Sequence, residues 1–214
     1  MMGIALIALS CARQPDTLQT GDLVFMGIPQ DYSISEESMD GAISAATGDG
    51  GLNLIHVAII EMADDGPYII DATLKYGTDR HPLDSTIRQF TLKGGAQPVY
   101  IVKRLKDNKL AKEWIEKAKS FCGQPYDMRF LPDNGAMYCS ELVRESFLDA
   151  AGRPVFDNEP MNFRAADGSM PPYWEWLFGR LGTPVPQGLP GTNPQGMSAS
   201  PVLKEVPVRP FSKK

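Results

Sequence analysis

The sequence predicts an α+β fold in which an antiparallel sheet packs against helices. Two runs rich in isoleucine and valine, Leu54 to Met62 and Tyr68 to Leu74, are joined by a short polar link that contains glycine. This pattern is typical of an antiparallel hairpin. Two later segments have the apolar spacing of helices, one ending at Gly123 and one beginning near Cys139. Together these segments predict a sheet with helices packed on it.

The segment before the hairpin begins with a turn and an apolar strand, Gly21-Asp22-Leu23-Val24-Phe25-Met26. A short helix is predicted from Ser33 to Gly48. Ser33 and Glu36 have the spacing of a capping box, and Gly48 is a natural C-terminal stop. A flexible glycine-rich loop is expected at residues 48–51.

The segment after the hairpin, from Tyr76 to Gln97, is mixed in composition and is interpreted as mostly loop, with His81 inside it. A further strand is predicted from Val99 to Leu105. It leads to Asp107 or Asn108, either of which is a suitable N-cap for the helix that Gly123 ends.

The helix that begins near Cys139 is expected to end by Gly152. A later aromatic group, Tyr173-Trp174-Trp176-Phe178, predicts a short amphipathic helix that caps the core. The same group could line a binding groove, but aromatic residues at helical spacing are more often packing residues.

The chain is predicted to divide into three parts. Residues 1–20 form a leader and spacer, residues 21–181 the main domain, and residues 182–214 a segment rich in proline and glycine. The last segment is expected to wrap the domain, with a strand at Val202 to Val208. A disordered tether is the alternative.

Composition excludes several classes of function. The chain has 214 residues, a net charge of -5 and no long basic cluster, so nucleic-acid binding is not expected. Three cysteines with irregular spacing are too few for a disulfide framework. Only His56 and His81 could add imidazole ligands to them, so neither a metal site nor another cofactor is predicted.

The leader resembles a bacterial lipoprotein signal. Met2 to Cys11 is a short apolar run that is too short to span a bilayer and ends in a small residue and a cysteine. The resemblance implies lipidation of Cys11, a membrane anchor and a location in the bacterial cell envelope. The alternative is a buried N-terminal strand with an inert cysteine.

The candidate nucleophile is Cys139, because it lies at a predicted helix start. Free backbone amides and the helix dipole favour negative charge there. An imidazole neighbour can bring the pKa of such a thiol down to roughly 3.5–7.5. Cys122, in contrast, lies at the C-terminal end of its helix and is interpreted as a buried, inert thiol.

His56 is the candidate base and Asp71 its partner. Side chains alternate along a strand, so Glu61 points away from His56, whereas the short hairpin places Asp71 on the same face and diagonally across. A nucleophile, a base and an orienting residue are therefore available. A single strand histidine is more often a structural residue, and periodicity alone does not bring the three together.

Four motifs resemble the NlpC-type papain-like peptidases and amidases. They are Gly123-Gln124-Pro125-Tyr126 followed by Tyr138-Cys139-Ser140, Gly21-Asp22-Leu23-Val24-Phe25, His56-Val57-Ala58-Ile59 and Ile69-Ile70-Asp71-Ala72-Thr73. The cysteine motif follows the histidine strands here, as it does in the circularly permuted amidases of the YaeF/YiiX type. The resemblance implies a permuted papain-like fold.

The same resemblance implies the site residues. Cys139 is the nucleophile, His56 the base, Asp71 the orienting residue, and Tyr126 and Tyr138 are candidate substrate-binding residues. The expected function is a thiol hydrolase that cleaves an amide in cell-wall peptides or acylated amines. Two alternatives stay open: an acyltransferase or lipid hydrolase with the same thioester chemistry, and a binding module that does not use the site.

Overall fold

The chain folds around a six-stranded sheet flanked by helices. The computed structural model describes residues 17–29, 32, 34–48, 51–90, 92 and 98–208. Within them, the sheet consists of β1 (Leu23–Ile28), β2 (Asn53–Ala63), β3 (Gly66–Thr73), β4 (Gly77–Pro82), β5 (Val99–Leu105) and β8 (Leu203–Glu205), and a separate pair of strands consists of β6 (Glu159–Pro160) and β7 (Pro190–Gly191). The helices in the same residues are α1 (Met39–Thr47), α2 (Leu83–Gln89), α3 (Ala111–Lys119), α4 (Cys139–Ser146), α5 (Pro172–Leu181) and α6 (Pro194–Ser198).

The sheet has the strand order β4-β3-β2-β1-β5-β8, and every neighbouring pair is antiparallel. The predicted antiparallel sheet, its β2–β3 hairpin and the strand β5 are therefore confirmed. All residues of β1 are buried, because this strand has a neighbour on each edge and apolar layers on both faces.

The two faces of the sheet are covered by different helices. Leu23 and Phe25 belong to a core cluster that includes buried residues of α3 and α4. Val24 and Met26, which alternate with them, belong to a second cluster with Leu83 of α2. The alternation follows from the two-residue period of a strand. It places the helix that begins with Cys139 on one face of the sheet only.

A third, largely aromatic cluster lies between α1 and α5. Its buried members are Met39, Ala42, Phe130, Tyr138, Met161, Phe163, Trp174, Leu177 and Phe178. The amphipathic aromatic helix predicted near Trp174 is confirmed as α5. Trp174 is 2% exposed, whereas Trp176, on the other side of the helix, is 57% exposed.

The predicted start of the first helix was wrong. Helix α1 begins at Met39, and its cap is Ser38, whose hydroxyl accepts a hydrogen bond from the Gly41 N–H at 3.2 Å. Glu36 lies in the turn before the helix, and Ser33 lies outside the described residues. Three serines, Ser33, Ser35 and Ser38, occur in this segment, and the turn in which the Ser38 N–H bonds the Ser35 carbonyl precedes the helix, so the last of them is the cap.

Two other details differ from prediction. Helix α3 begins at Ala111 with Leu110 at the N-cap and no capping side chain, so neither Asp107 nor Asn108 caps it. Helix α4 ends at Ser146, before Gly152 as predicted. Cys122 is exposed, not buried, because it lies in the turn after α3 and outside the buried stripe of that helix.

The assignment of residues 76–97 to loop was wrong for its first half. Gly77–Pro82 forms β4, the edge strand beside β3, and Leu83–Gln89 forms α2. Glycine, aspartate and proline have low strand propensity. Here the strand forms because β3 offers it a complete set of backbone partners.

The C-terminal part of the described chain packs on the same body. Strand β8 lies within the predicted range Val202 to Val208 and pairs with β5, while α6 packs against β2. The division into a domain that ends at residue 181 and a wrapping segment stays a prediction. Among the described residues, no helix is long and apolar enough to cross a membrane, and Cys11 lies outside these residues.

A buried ion pair ties the start of β1 to β5. The Arg104 Nε donates to Asp22 Oδ1 at 2.5 Å and its Nη2 donates to Asp22 Oδ2 at 2.9 Å. Asp22 is 0% exposed and Arg104 is 6% exposed. Two hydrogen bonds join the buried side chains, so removal of either side chain leaves the other charge buried without a partner.

We therefore expect Asp22→Ala to lower the free energy of unfolding by about 3–5 kcal/mol, measured by urea denaturation. The matched control is Asp84→Ala, which breaks the exposed pair with Arg88 and should cost less than about 1 kcal/mol. Equal losses in the two variants would contradict a structural role for the buried pair.

Candidate active site

Cys139 is the first residue of α4. The residue before it, Tyr138, is extended, and its backbone N–H donates to Glu141 Oε2 at 3.3 Å, while the Leu142 N–H donates to the Tyr138 carbonyl at 3.0 Å. These contacts fix where the helix begins. The backbone N–H of Cys139 has no acceptor within the helix because it lies in the first turn, so it can donate to an anionic oxygen.

The loop before α4 presents aromatic side chains to the nucleophile. The Asp127 carboxylate accepts hydrogen bonds from the backbone N–H groups of Arg129 and Leu131 at 2.7 and 2.8 Å. This tight loop holds Phe130 at a positive φ of 53°, a conformation that bulky residues rarely adopt. It directs the Phe130 ring into the aromatic cluster beside Cys139.

His56 and Asp71 lie on the neighbouring strands β2 and β3. Ile59 pairs with Ile70 and Ile60 with Ile69, and continuing this register places His56 opposite Thr73, diagonal to Asp71. His56 Nε2 lies 2.9 Å from Asp71 Oδ2. The diagonal contact expected from the hairpin is therefore present, and Glu61 pairs instead with Arg80 and Lys119.

The imidazole of His56 also lies close to the side chain of Cys139. Burial by itself would lower the pKa of His56, but the charge of Cys139 and the hydrogen bond with Asp71 raise it from 6.5 to about 10. His56 is thus protonated at neutral pH. The stability from this raised pKa is complete below about pH 6.5 and is lost as the pH rises through about 10.

The two predicted substrate-binding tyrosines differ in role. Tyr126 lies close to Cys139, and burial together with the charges of Cys139 and Asp40 raises the pKa of its hydroxyl well above the ordinary value. Tyr138 is buried, and its hydroxyl accepts a hydrogen bond from the Thr192 N–H at 3.1 Å. Burial raises the pKa of Tyr138 to about 12. Its ring lines the site while its hydroxyl anchors the C-terminal segment.

His81 is a site residue that the sequence did not indicate. It lies on β4, and its Nε2 is 3.7 Å from Asp71 Oδ1. The available signal was Gly77, which has φ 67° and opens β4 after a tight turn. A Cβ at Gly77 would lie 2.3 Å from the Gln124 carbonyl oxygen, so the turn requires glycine. A glycine at this position indicates a turn, but the residues after it have no strand pattern, so the sequence alone did not place His81 beside β3.

Two pockets meet at the Cys139–His56 pair. The apolar lobe is lined by Cys139 and Ser140 and by the apolar residues Ile43, Phe130, Met161, Phe163 and Trp174 among others. The second lobe, called the polar lobe because Asp40, His56, Asp71, Lys75 and His81 line it, also has apolar lining residues such as Met26 and Leu74. Ile43, Ile55 and Tyr126 belong to both lobes. The two lobes are therefore adjacent parts of one cleft, and the Cys139 sulfur lies in its wall.

This fold is that of the permuted papain-like proteins. The profile described as "Permuted papain-like amidase enzyme, YaeF/YiiX, C92 family" matches residues 17–207. The chain belongs to this family of amidase-type hydrolases, as its motifs predicted.

Two relatives illustrate the similarity. The chain is 28% identical over 192 residues to the uncharacterized protein YiiX of Escherichia coli K12, which covers 88% of this chain and 85% of the relative. It is also similar to the crystal structure of YiiX from Escherichia coli O157:H7, with a TM-score of 0.66, 26% identity and coverage of 89% of this chain and 97% of that one.

The crystallised YiiX is described as a metalloprotein. In the described part of this chain, no group of three or more histidine, cysteine, aspartate or glutamate residues is arranged to hold a metal ion. These residues do not fit a metal centre, so no chemical step here is assigned to one.

We expect iodoacetamide to alkylate Cys139 at least roughly tenfold faster than Cys122 near pH 6.5, because only Cys139 is paired with an imidazolium. Cys122 is the internal control, since partial desolvation and the charge of Asp79 raise the pKa of its thiol. Peptide mass spectrometry after timed quenching gives both rates.

His56→Ala should slow alkylation of Cys139 by about tenfold near pH 6.5 and leave Cys122 unchanged. Circular dichroism of the variant checks the fold. Equal rates for the two cysteines in the wild-type protein would remove the basis for a catalytic thiolate.

Proposed function

We propose that the protein is a cysteine amidase that hydrolyses the amide of an acylated amine. Cys139 is the nucleophile, His56 the acid and base, and Asp71 the residue that orients His56. The observation that carries this proposal is the position of the Cys139–His56 pair between an apolar and a polar lobe. Such a cleft suits a substrate that has an apolar acyl group on one side of the amide and a polar amine on the other.

In the first half of the reaction, the Cys139 sulfur attacks the amide carbonyl carbon. The carbonyl oxygen becomes negative and accepts a hydrogen bond from the Cys139 backbone N–H, a type of contact worth about 3–4 kcal/mol in comparable enzymes. His56 gives its proton to the amide nitrogen, the C–N bond breaks, and the amine leaves. The acyl group stays on the sulfur as a thioester.

In the second half, a water molecule attacks the thioester and gives a proton to His56. The C–S bond breaks, the carboxylic acid departs, and the thiolate–imidazolium pair is restored. Asp71 keeps the His56 ring oriented through both halves because its Oδ2 is hydrogen-bonded to Nε2 at 2.9 Å. Since Nε2 is engaged in this way, Nδ1 is the ring nitrogen available to exchange the proton.

The lining of the apolar lobe favours an acyl chain over an extended peptide on the Cys139 side. Phe130, Phe163 and Trp174 form an edge-to-face aromatic group at this lobe. Each methylene buried there would contribute about 0.8 kcal/mol to binding. The polar lobe, with Lys75, Tyr76 and His81 in its lining, suits the amine half of the substrate.

We expect long-chain N-acyl amino acids to be hydrolysed with release of free acid and amine, followed by mass spectrometry. Cys139→Ala should reduce the rate by at least about 10³-fold, because the sulfur forms the bond to the acyl group. Muropeptides serve as the competing substrates. A new ester or amide in place of free acid would identify an acyltransferase, and Cys139-dependent cleavage of muropeptides alone would contradict the acylated-amine assignment.

Ala46→Leu should narrow the apolar lobe, which Ala46 lines from α1. We expect kcat/KM for a long acyl chain to fall about tenfold, equivalent to one or two methylenes of lost burial, with little change for an acetyl substrate. The matched control is Ser44→Leu, on the same helix but outside the lobe lining. An equal loss for long and acetyl chains would show that the lobe does not hold the acyl group.

We also propose that the protein is a lipoprotein of the bacterial cell envelope, anchored to the membrane through Cys11. The support is the leader Met2 to Cys11, with its short apolar run and small residue before the cysteine. Cells fed labelled palmitate should incorporate it into the wild-type protein and not into Cys11→Ser. The Cys122→Ser variant is the control and should still be labelled. Labelling of Cys11→Ser would refute the assignment.

A further inference from the structure

Asp71 has two carboxylate oxygens and two histidine neighbours. Oδ2 is hydrogen-bonded to His56 Nε2 at 2.9 Å. Oδ1 is buried, and no group among the described residues hydrogen-bonds it. Its neighbour is His81 Nε2 at 3.7 Å, which is a few tenths of an ångström beyond hydrogen-bond distance.

The strand register produces this arrangement symmetrically. On β2, His56 lies diagonal to Asp71, and on β4, His81 lies opposite Ile69 and is therefore also diagonal to Asp71. Asp79, directly opposite Asp71, has its Oδ2 4.0 Å from His81 Nδ1. Side chains of alternating acid and base character thus run from Asp79 at the surface through His81, Asp71 and His56 to Cys139.

We propose that His81 is a positioning residue of the catalytic site, which holds Asp71 Oδ1 so that Oδ2 stays directed at His56. This role deepens the proposed amidase function and rests on it. Asp71 is 2% exposed, and a buried carboxylate oxygen without a hydrogen-bond partner is costly. A ring rotation that closes the 3.7 Å gap supplies the second partner.

Other charges near His81 belong to the same polar lobe. Asp40 of α1, His56, Asp71, and Lys75 and Tyr76 at the β3–β4 turn line it together with His81, and Asp79 lies on the opposite ring nitrogen. The Tyr76 ring is tilted against the His81 ring at a centroid distance of 6.4 Å. Two carboxylates on adjacent strands therefore face the two ring nitrogens of one imidazole.

The test is the pH dependence of iodoacetamide alkylation at Cys139, which needs no knowledge of the substrate. The rate is measured from about pH 4 to pH 9 for the wild-type chain, His81→Ala, His81→Gln and Arg80→Ala, with Cys122 as internal standard. Gln keeps an N–H donor of similar reach without the ring. Arg80 is the neighbour on β4 whose side chain pairs with Glu61 on the other side of the strand, so it controls for general loosening of β4.

In His81→Ala, the acid side of the profile should move to higher pH by about one pH unit, because Asp71 is no longer held in place to support the His56 imidazolium beside the sulfur. His81→Gln should recover at least half of this displacement, and Arg80→Ala should show none. An unchanged profile in His81→Ala would overturn the proposal. So would a glutamine variant as impaired as alanine, or an equal displacement in Arg80→Ala.

Nuclear magnetic resonance gives an independent measurement, because the chain has only two histidines. In His81→Gln and His81→Ala the remaining imidazole signal belongs to His56 alone. The pH at which its ring nitrogen chemical shifts change should match the acid side of the alkylation profile. This pH should be higher in His81→Ala than in His81→Gln. Identical His56 titrations in the two variants would also overturn the proposal.

These outcomes separate this proposal from the amidase function. If no acylated amine is cleaved while the displacement and its recovery are observed, the substrate assignment fails and the role of His81 stands. If acylated amines are cleaved by a Cys139-dependent reaction while the His81 variants keep the wild-type pH profile, the role of His81 fails alone.

Discussion

The site depends on the antiparallel register between β2 and β3. This register places His56 and Asp71 diagonally across from each other, within 2.9 Å. A slip of one residue would turn Asp71 to the opposite face of the sheet, and His56 would lose the carboxylate that helps to keep it protonated. The register is held by buried Ile59, Ile60, Ile69 and Ile70, so the apolar pattern of the hairpin determines the geometry of a polar site.

The hairpin and the cysteine helix could be predicted from the sequence because their signals are local. Runs rich in isoleucine and valine flank a short polar turn, and motif residues surround Cys139. The edge strand β4 could not be predicted in the same way, since Gly77, Asp79 and Pro82 argue against a strand. Its hydrogen bonds come from β3, which is tertiary information, and His81 was missed with it. The exposure of Cys122 likewise depends on how α3 packs.

The apolar lobe also lies beyond what local patterns predict. Its lining comes from α1, the loop before α4, the segment around Met161 and the residues after β7, which are far apart in the chain. The aromatic pattern near Trp174 indicated packing, and the structure shows that this residue both packs and lines the lobe. A permuted chain order can keep the same lining, because the contacts between side chains depend on where their segments lie in the fold and not on the order in which the segments are connected.

The turn at Gly77 links the two sides of the cleft. The Thr78 N–H donates to the Gln124 carbonyl at 2.8 Å, and the Gly123 N–H donates to the Thr78 carbonyl at 2.8 Å. Tyr126 follows two residues later and lies beside Cys139. These two hydrogen bonds consequently hold the β3–β4 hairpin and the loop that carries Tyr126 together. A graft that exchanges the hairpin between family members to change amine preference must carry the Gly123-Gln124 segment with it, or it will displace Tyr126.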